Sequence, residues 1–384
     1  YYYNYTMINY IEKYKELSSI FYPDIKEMAI PGSDIRIVNT KFVSDYTPEK
    51  FFNKNDFTIK ENFSFSYPVF VPANRDSKNV ILFLHGLNER KWEKYLAWGY
   101  TLSENTGSYV IMYPISFHIN RSPVSWKEPR TMMNFLTEWR KKHGEANMSS
   151  VANIAISARL VEEPRRFMNS GYLTACDIIN LIISIRTGKH PVIPKTNRLN
   201  IFGFSIGAYL AEILIMANPD NLFSDSKLFM FCGGSLFSAM NGTSRYIMDS
   251  MAAETISEYY LNDFENELEQ KDSVMELIIS GKIGKVFRSM IDFDRFKKFR
   301  EKTLTKIKDR IMAVGLLKDA IIPPEGIIKT LNEDNGKMNA NVEVMDFPYP
   351  YSHENPFPPV ESIQYKQVDD CFKRLMEQAS AFLA

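Results

Sequence analysis

The chain has 384 residues, 45% of them apolar and 14% aromatic, so it can bury a large core, and wholesale disorder is excluded. Its 46 Lys and Arg residues balance 46 Asp and Glu residues. This zero net charge does not favour binding to nucleic acid or to an acidic membrane surface. No run of about 18 apolar residues occurs, so we predict no transmembrane segment.

The three cysteines, Cys176, Cys232 and Cys371, are too scattered to define a disulfide framework or a paired metal site. Cys232 lies in an apolar run and is predicted to be a small buried side chain. This cysteine usage favours a reducing compartment, and we expect a cytoplasmic protein. The chain begins with Tyr1, so a secreted or periplasmic protein that has lost a signal peptide is the alternative.

Residues 1–77 are predicted to form an N-terminal extension rich in β-structure. Within it, 35–38 is rich in β-branched residues, and 63–67 alternates as a half-buried strand does. We therefore place the start of the main domain at residue 78.

The rest of the chain alternates between two patterns. Short apolar runs, typical of strands buried on both faces of a parallel sheet, occupy 79–84, 108–113, 199–204, 227–232, 310–315 and 342–345. Stretches with helical spacing occupy 92–104, 174–185, 206–217, 325–331 and 363–383. The alternation predicts an α/β domain over 78–235 and 306–384, with a mostly parallel, doubly wound sheet flanked by helices.

Two segments, 116–170 and 236–305, are too long for ordinary loops. The second is rich in helix-forming residues, and we predict a helical cap over the strand ends, inserted before the strand at 310–315. Its Met and aromatic residues suggest an apolar acyl pocket, or simply the core of the cap. In the first, Trp126 and Arg130 are expected to line an entrance, or else to pin the long loop to the domain.

The pattern Gly203-x-Ser205-x-Gly207 lies between the apolar run 199–204 and the helical stretch 206–217. A serine at a sharp strand-to-helix turn exposes its hydroxyl, and glycines are needed where side chains would clash with the strand and helix. The helix N-terminus favours developing negative charge. The pattern predicts that Ser205 is a nucleophile in an elbow; a turn required only for packing is the alternative.

An acid and a base follow in the chain. Asp319 comes just after the run 310–315 and before prolines that open a helix, a position from which a carboxylate can accept the Nδ1–H of a histidine. His353, one of five histidines, lies in the loop after the last predicted strand. The order Ser205, Asp319, His353 predicts a catalytic triad. A helix N-cap or a turn residue at Asp319, and a solvated loop histidine at 353, are the alternatives.

The first buried strand ends in His85-Gly86-Leu87. Acyl transfer needs two N–H donors that face the developing oxyanion. We predict that the N–H groups of Ile206 and Leu87 supply them, and that His85 and Gly86 have a structural role beside the site. His118, His143 and His190 are predicted to be structural or surface groups.

His85-Gly86, the elbow, Asp319 and His353 together resemble the α/β-hydrolase superfamily, over about residues 78–384. The resemblance implies the α/β-hydrolase fold, with 236–305 as the lid that many members insert. It implies an esterase- or lipase-like serine hydrolase, and it leaves the substrate undefined because this fold hosts many activities.

We therefore expect hydrolysis of a small ester or thioester through an acyl-enzyme. A peptidase or amidase with the same triad, and a non-catalytic binding protein of the same fold, are the alternatives. No metal-binding or nucleotide-binding motif occurs, so no metal or cofactor is predicted. The basic run at 295–310 is interleaved with acidic residues and is predicted to be a solvated helix face, not a nucleic-acid site.

Overall fold

The computed structural model describes residues 9–268, 273–332, 339–359 and 365–384. Its strands are β1 Glu27–Ala29, β2 Arg36–Val43, β3 Ser64–Val71, β4 Val80–Leu84, β5 Tyr109–Tyr113, β6 Leu199–Phe204, β7 Leu228–Phe231, β8 Ile311–Leu316 and β9 Asn341–Met345. Its helices are α1 Tyr10–Ile20, α2 Glu93–Thr106, α3 Pro129–His143, α4 Ile154–Glu162, α5 Arg166–Arg186, α6 Ile206–Ala217, α7 Ser250–Glu258, α8 Phe264–Glu267, α9 Ser273–Ile279, α10 Lys282–Ser289, α11 Lys297–Ile307, α12 Pro324–Leu331 and α13 Tyr365–Leu383.

The nine strands form one sheet in the order β1-β2-β3-β5-β4-β6-β7-β8-β9. The pairs β1–β2, β2–β3 and β3–β5 are antiparallel, and all the remaining pairs are parallel. In register, Leu84 at the end of β4 lies beside Gly203 near the end of β6. Because parallel strands share a direction, the loops that follow β4, β6, β8 and β9 emerge at one edge of the sheet.

Helices cover both faces of the sheet, which explains why β4 to β8 are continuous apolar runs. One core contains apolar residues of α1, α2 and α13, together with Ile81 and Phe83 of β4. The other contains residues of α5 and α6, together with Leu82 and Leu84 of the same strand. Alternate residues of a strand therefore enter opposite cores, as the pleat requires, and the predicted doubly wound α/β sheet is confirmed.

The domain boundary predicted at residue 77 is wrong. The segment is β-rich, as expected, but β1, β2 and β3 are members of the main sheet, and α1 packs against α2 and α13. The antiparallel strand β2 has two residues exposed and three partly exposed among its eight, so its sequence lacks the apolar run that marks the parallel strands. Residues 1–8 lie outside the described part of the chain.

The two long segments are helical. Residues 116–170 contain α3, α4 and the start of α5, which begins at Arg166, earlier than the predicted residue 174. Residues 236–305 contain α7 to α11. Within that second segment α10 and α11 pack beside α6, on a face of the sheet and not over the strand ends. The predicted beginning of the last helix at 363 lies outside the described residues.

Hydrogen bonds tie the two long segments together. Asn153, before α4, donates its side-chain N–H to Ser244 O at 2.9 Å. Asn88, in the loop after β4, donates to Ala152 O at 2.8 Å and to Tyr246 O at 2.7 Å. The loop after β4 is therefore held between both segments.

Among the described helices, α5 alone is long and apolar enough to cross a membrane by length and composition, with a mean hydropathy of 1.2 in its most apolar window. Of that window, 56% is buried inside the protein. Its residues Ile178, Leu181 and Ile182 pack in the main core.

Candidate active site

Ser205 lies on the turn from β6 to α6 with φ 57° and ψ −124°, a conformation that is strained for a residue with a Cβ. A Cβ on Gly203 would lie 2.5 Å from Ala208 Cα, and one on Gly207 would lie 2.4 Å from Leu84 O. Both contacts are with backbone, which cannot move aside. The two glycines are therefore required for α6 to start this close to β4 and β6.

A chain of hydrogen bonds joins the three residues predicted to form a triad. His353 Nε2 lies 2.6 Å from Ser205 Oγ, and His353 Nδ1 lies 2.7 Å from Asp319 Oδ2. All three side chains are buried, none more than 4% exposed. In this arrangement Nδ1–H donates to the carboxylate, which leaves Nε2 free to accept the hydroxyl proton.

Asp319 is fixed by its own loop. Its Oδ1 accepts the backbone N–H groups of Ile321 and Ile322, each at 2.9 Å. Its other oxygen is then directed at His353, whose ring stacks on Phe204 with 5.4 Å between ring centroids. Asp319 does not cap α12, whose N-cap is Pro323; one of its carboxylate oxygens stabilises the turn that precedes the helix, and the other accepts the hydrogen bond from the histidine.

Cys232, which follows β7, contacts the acid and was not predicted to be near the site. Its thiol hydrogen-bonds to the Asp319 carboxylate, and burial together with that negative charge raises the pKa of the thiol well above its ordinary value. The thiol is therefore a protonated donor. The apolar run that contains Cys232 gives no sign of this contact, which depends on the neighbouring strand β8.

The same residues form the one His, Cys and carboxylate cluster in the described ranges that is compact enough to hold a metal ion. The ligand atoms of Cys232, Asp319 and His353 lie within 4.8 Å of one another. Both Asp319 oxygens and both His353 nitrogens already take part in hydrogen bonds, and the thiol is protonated. Since metal ligands must be deprotonated and free, these side chains fit a hydrogen-bonded chain better than a metal site.

The loop after β4 carries the predicted backbone donors. His85 Nδ1–H donates to Gly86 O at 2.7 Å, and Ile115 N–H donates to His85 Nε2 at 2.9 Å. In a trans peptide the carbonyl and the next N–H point in opposite directions. The bond to Gly86 O therefore turns the N–H of Leu87 away from His85, and Leu87 lines a cavity together with Ser205 and Ile206.

Burial lowers the pKa of His85 to about 3, so its ring is neutral at ordinary pH. His85 and Gly86 thus brace the loop as expected. Burial likewise lowers the pKa of His118 to about 3 and of His190 to about 4. His190 bonds to Tyr67, and His143 stacks on Trp139 at the surface, so these histidines have the structural or surface positions that the sequence predicted.

Two cavities meet at the elbow. One, of about 1460 Å³ including its open mouth, is lined by Ser205 and by residues from 237–262. The other, of about 1160 Å³ and likewise including space open to solvent, is lined by Leu87, Ile206 and Trp126 among others. Trp126 is thus placed as predicted. Arg130 is not: it lies in the first turn of α3 with its side chain exposed, because this helix buries its opposite face through Met132 and Leu136.

The His353 loop is connected to the segment that lines the first cavity. Ser244 Oγ donates a hydrogen bond to the carboxylate of Glu354, the residue that follows His353. The base is therefore held from two sides, by Asp319 and by the loop before α7.

A mostly parallel sheet with helices on both faces, a serine on the strand-to-helix elbow and a hydrogen-bonded Ser–His–Asp chain in this order define the α/β-hydrolase fold. The chain belongs to the family described as "Family of unknown function (DUF6051)", whose model matches residues 46–384. None of the curated proteins matches the sequence.

Solved structures with a similar fold include an acylaminoacyl peptidase from Pyrococcus horikoshii, at 12% identity and a TM-score of 0.44, covering 89% of this chain and 41% of that one. An esterase from the archaeon Pyrobaculum calidifontis has 10% identity and a TM-score of 0.42, covering 97% and 90% of the two chains. The peroxisomal alpha-beta-hydrolase Lpx1 of Saccharomyces cerevisiae has 14% identity and a TM-score of 0.41, covering 91% and 89%. This chain thus spans less than half of the peptidase. Because these identities and TM-scores are low, the fold assignment rests on the strand order and the elbow.

Proposed function

We propose that this protein is a serine hydrolase that cleaves an ester or thioester through an acyl-enzyme on Ser205. The observation that carries the proposal is the continuous hydrogen-bonded chain Ser205–His353–Asp319, with the serine on a strained turn between the two glycines that the turn requires. A serine, histidine and aspartate that merely served packing would not need the strained turn.

In the acylation step, His353 Nε2 accepts the Ser205 proton while Oγ attacks the ester carbonyl carbon. General base catalysis of this kind contributes about 10²–10⁴-fold. The negative charge that forms on the carbonyl oxygen is stabilised by the N–H groups of Leu87 and Ile206. His353 then gives its proton to the leaving alkoxide or thiolate, and the C–O or C–S bond breaks.

In the deacylation step, a water molecule replaces the leaving group. His353 accepts one proton from the water, the resulting hydroxide adds to the acyl carbon, and the proton returns to Ser205 Oγ as the acid departs. Asp319 stays ionised throughout and stabilises the imidazolium through the Nδ1–H bond.

Residues 237–262 are part of the proposal as a lid, because they line the cavity that reaches Ser205 and are hydrogen-bonded to the His353 loop through Ser244. A lid excludes water and so strengthens the electrostatic stabilisation of the transition state.

The proposal is tested with a panel of p-nitrophenyl acyl esters of graded chain length, and the matching acyl p-nitroanilides, on the parent protein and on Ser205→Ala. We expect ester hydrolysis by the parent and its loss in the variant, by about 10⁴-fold or more in kcat. Faster cleavage of the anilides would make the protein an amidase with the same triad. Hydrolysis by Ser205→Ala at the parent rate would refute the mechanism.

A further inference from the structure

The second of the two cavities, called here the slot, has two chemically different arms. Leu87 and Ile206 line both the slot and the cavity of Ser205, so the proposed oxyanion donors lie where the two cavities meet. From that junction the slot extends one way along α6 and the other way over the loop after β4. The slot is lined mainly by apolar atoms.

The apolar arm follows one face of α6. Ile206, Leu210 and Ile213 line it at helical spacing. The seven helical steps from 206 to 213 span ~10 Å at 1.5 Å per residue. Ile283 and Phe287 of α10 form the facing wall. This arm has the length and the polarity for an extended acyl chain.

The cationic arm begins directly after Leu87. Arg90 and Lys127 line it, and within the described ranges neither has a carboxylate within ion-pair distance. Arg90 donates only to the carbonyl oxygens of Val151 and Ala152.

The other charged residues of the slot are neutralised. Arg159 pairs with the buried Asp56 at 2.9 Å, and Arg166 pairs with Asp56 at 2.8 Å and with Glu162 at 2.6 Å. Glu89 is bound to Lys94 at 2.5 Å and to Tyr95 Oη at 2.6 Å. At this end the slot therefore carries two cations, Arg90 and Lys127, that have no ion-pair partner among the described residues.

The surroundings of Lys127 support this reading. Burial lowers the pKa of its ammonium, and the charge of Arg90 lowers it further, against the weaker opposing influence of Glu61 and Glu93. A bound anion would lower the electrostatic free energy of both cations.

We infer that the slot selects an anionic amphiphile: an ester or thioester whose acyl chain lies along Ile206–Ile213 and whose leaving group carries a phosphate or carboxylate that pairs with Arg90 and Lys127. The inference rests on the proposed hydrolase function and adds the substrate class. It places the scissile carbonyl at the junction, beside the N–H groups of Leu87 and Ile206.

The test compares octanoyl esters of three related alcohols, one neutral and two anionic: glycerol, glycerol phosphate and glycerate. In the parent protein we expect kcat/KM to be at least about tenfold higher for the anionic esters than for the neutral ester. This ratio should fall as salt is added, because salt screens the attraction between the charges. A preference for phosphate over glycerate identifies the anion as phosphate, and the reverse identifies a carboxylate. Equal kcat/KM values for the neutral and anionic esters would overturn the inference.

Lys127→Met should raise KM for the anionic esters about fivefold and narrow their advantage over the neutral ester. The matched control is Lys91→Met, which removes the same charge from a neighbouring lysine that does not line the slot and is 74% exposed. An equal loss in both variants would show that only the general field of the protein matters, and would overturn the cationic arm.

Ile213→Phe should lower the octanoyl-to-acetyl ratio of kcat/KM by about tenfold or more, because it fills the apolar arm. Ile213→Ala, which opens the arm, should shift the preference toward longer chains. Ile183→Phe enlarges an exposed isoleucine of α5 and is the control. An unchanged chain-length profile in both Ile213 variants would overturn the apolar arm.

Labelling by a fluorophosphonate separates this inference from the proposed function. If Ser205 is labelled and the esters are cleaved without charge or chain-length preference, the substrate class is wrong and the hydrolase stands. If Ser205 is neither labelled nor needed for ester cleavage, the proposed function fails first.

Discussion

The carboxyl edge of the sheet and the slot are built in different ways. At the edge, loops after β6, β8 and β9 bring their side chains together through the hydrogen bonds Ser205–His353 at 2.6 Å and His353–Asp319 at 2.7 Å. The slot is formed by residues of α4, α5, α6, α9 and α10, held mostly by apolar packing, together with the loop segments that carry Arg90 and Lys127. The strand topology therefore fixes the geometry of the chemistry, while the packing of separate helical segments fixes the shape available to a substrate.

This contrast predicts that single changes at the edge reduce turnover strongly, whereas changes in the slot redistribute preference among substrates.

Asp319→Asn should lower kcat by about 10³–10⁴-fold with little change in KM. The neutral amide has one acceptor oxygen in place of two, so it cannot accept hydrogen bonds from both the loop N–H groups and His353 Nδ1–H. The imidazole ring is then no longer held in the required tautomer and orientation. Asp346→Asn, in the exposed ion pair with Lys318, is the control. A loss in Asp319→Asn that appears in KM alone would contradict the assigned role.

His85→Phe should lower kcat by about 10–10²-fold while labelling of Ser205 persists. Without the bond from Nδ1–H to Gly86 O, the Gly86–Leu87 peptide is free to rotate, and one of the two oxyanion donors is lost for part of the time. His190→Phe is the matched control, since it also removes a buried neutral histidine whose two ring nitrogens are hydrogen-bonded, at a position away from the elbow. Equal kcat in His85→Phe and the parent would show that the loop needs no brace.

Glu212 lies on α6, the helix that begins at the edge of the sheet and also lines the slot. Both of its carboxylate oxygens are buried and have no hydrogen-bond partner among the described residues. Burial raises its pKa to about 8, against the lowering influence of Arg300. The folded state thus holds a proton that the unfolded chain releases near its ordinary pKa of 4.5. The contribution of this proton to the stability of the folded state is complete below about pH 4.5, and it is lost as the pH rises through about 8.

We therefore expect the free energy of unfolding of the parent, relative to Glu212→Gln, to fall by about 1.4 kcal/mol per pH unit between about pH 5 and pH 8. Urea unfolding of both proteins at several pH values measures this difference. Glu104→Gln, at an exposed position of α2, is the control. Parallel curves for the parent and Glu212→Gln would mean that the carboxyl is ionised in the fold.

Cys232→Ala should lower kcat only about threefold, since a thiol is a weak donor and Asp319 keeps its two backbone N–H bonds. Cys232→Ser, which restores a donor of similar size, should recover part of the loss. If kcat of Cys232→Ala were as low as that of Asp319→Asn, the thiol would contribute far more to the orientation of the Asp319 carboxylate than we expect.

The sequence allowed prediction of the site because its residues lie at strand ends, which the apolar runs mark. Ser205, Asp319 and His353 each follow such a run, and strand order alone brings them to one edge. Arg90 and Lys127 could not be predicted in the same way. Whether a cation on a loop is paired depends on residues distant in the sequence. Asp56, for example, pairs with both Arg159 and Arg166 and lies far from both in the sequence.

The antiparallel strands show the same limit in the fold. β2 and β3 pair with each other over eight residues, yet β2 alternates between buried and exposed positions. Such a pattern fits a separate β-rich extension as well as a member of the main sheet. The pairing of Val69 and Phe70 in β3 with Ile111 and Val110 in β5 decides between them, and no local signal reports it.

Reaction of the protein with a fluorophosphonate, followed by intact mass measurement and peptide mapping, tests the central claim most directly. The account predicts one adduct, located on Ser205, that forms in step with the loss of esterase activity and is absent from Ser205→Ala. An adduct on another residue, or full esterase activity in a protein completely labelled at Ser205, would contradict it.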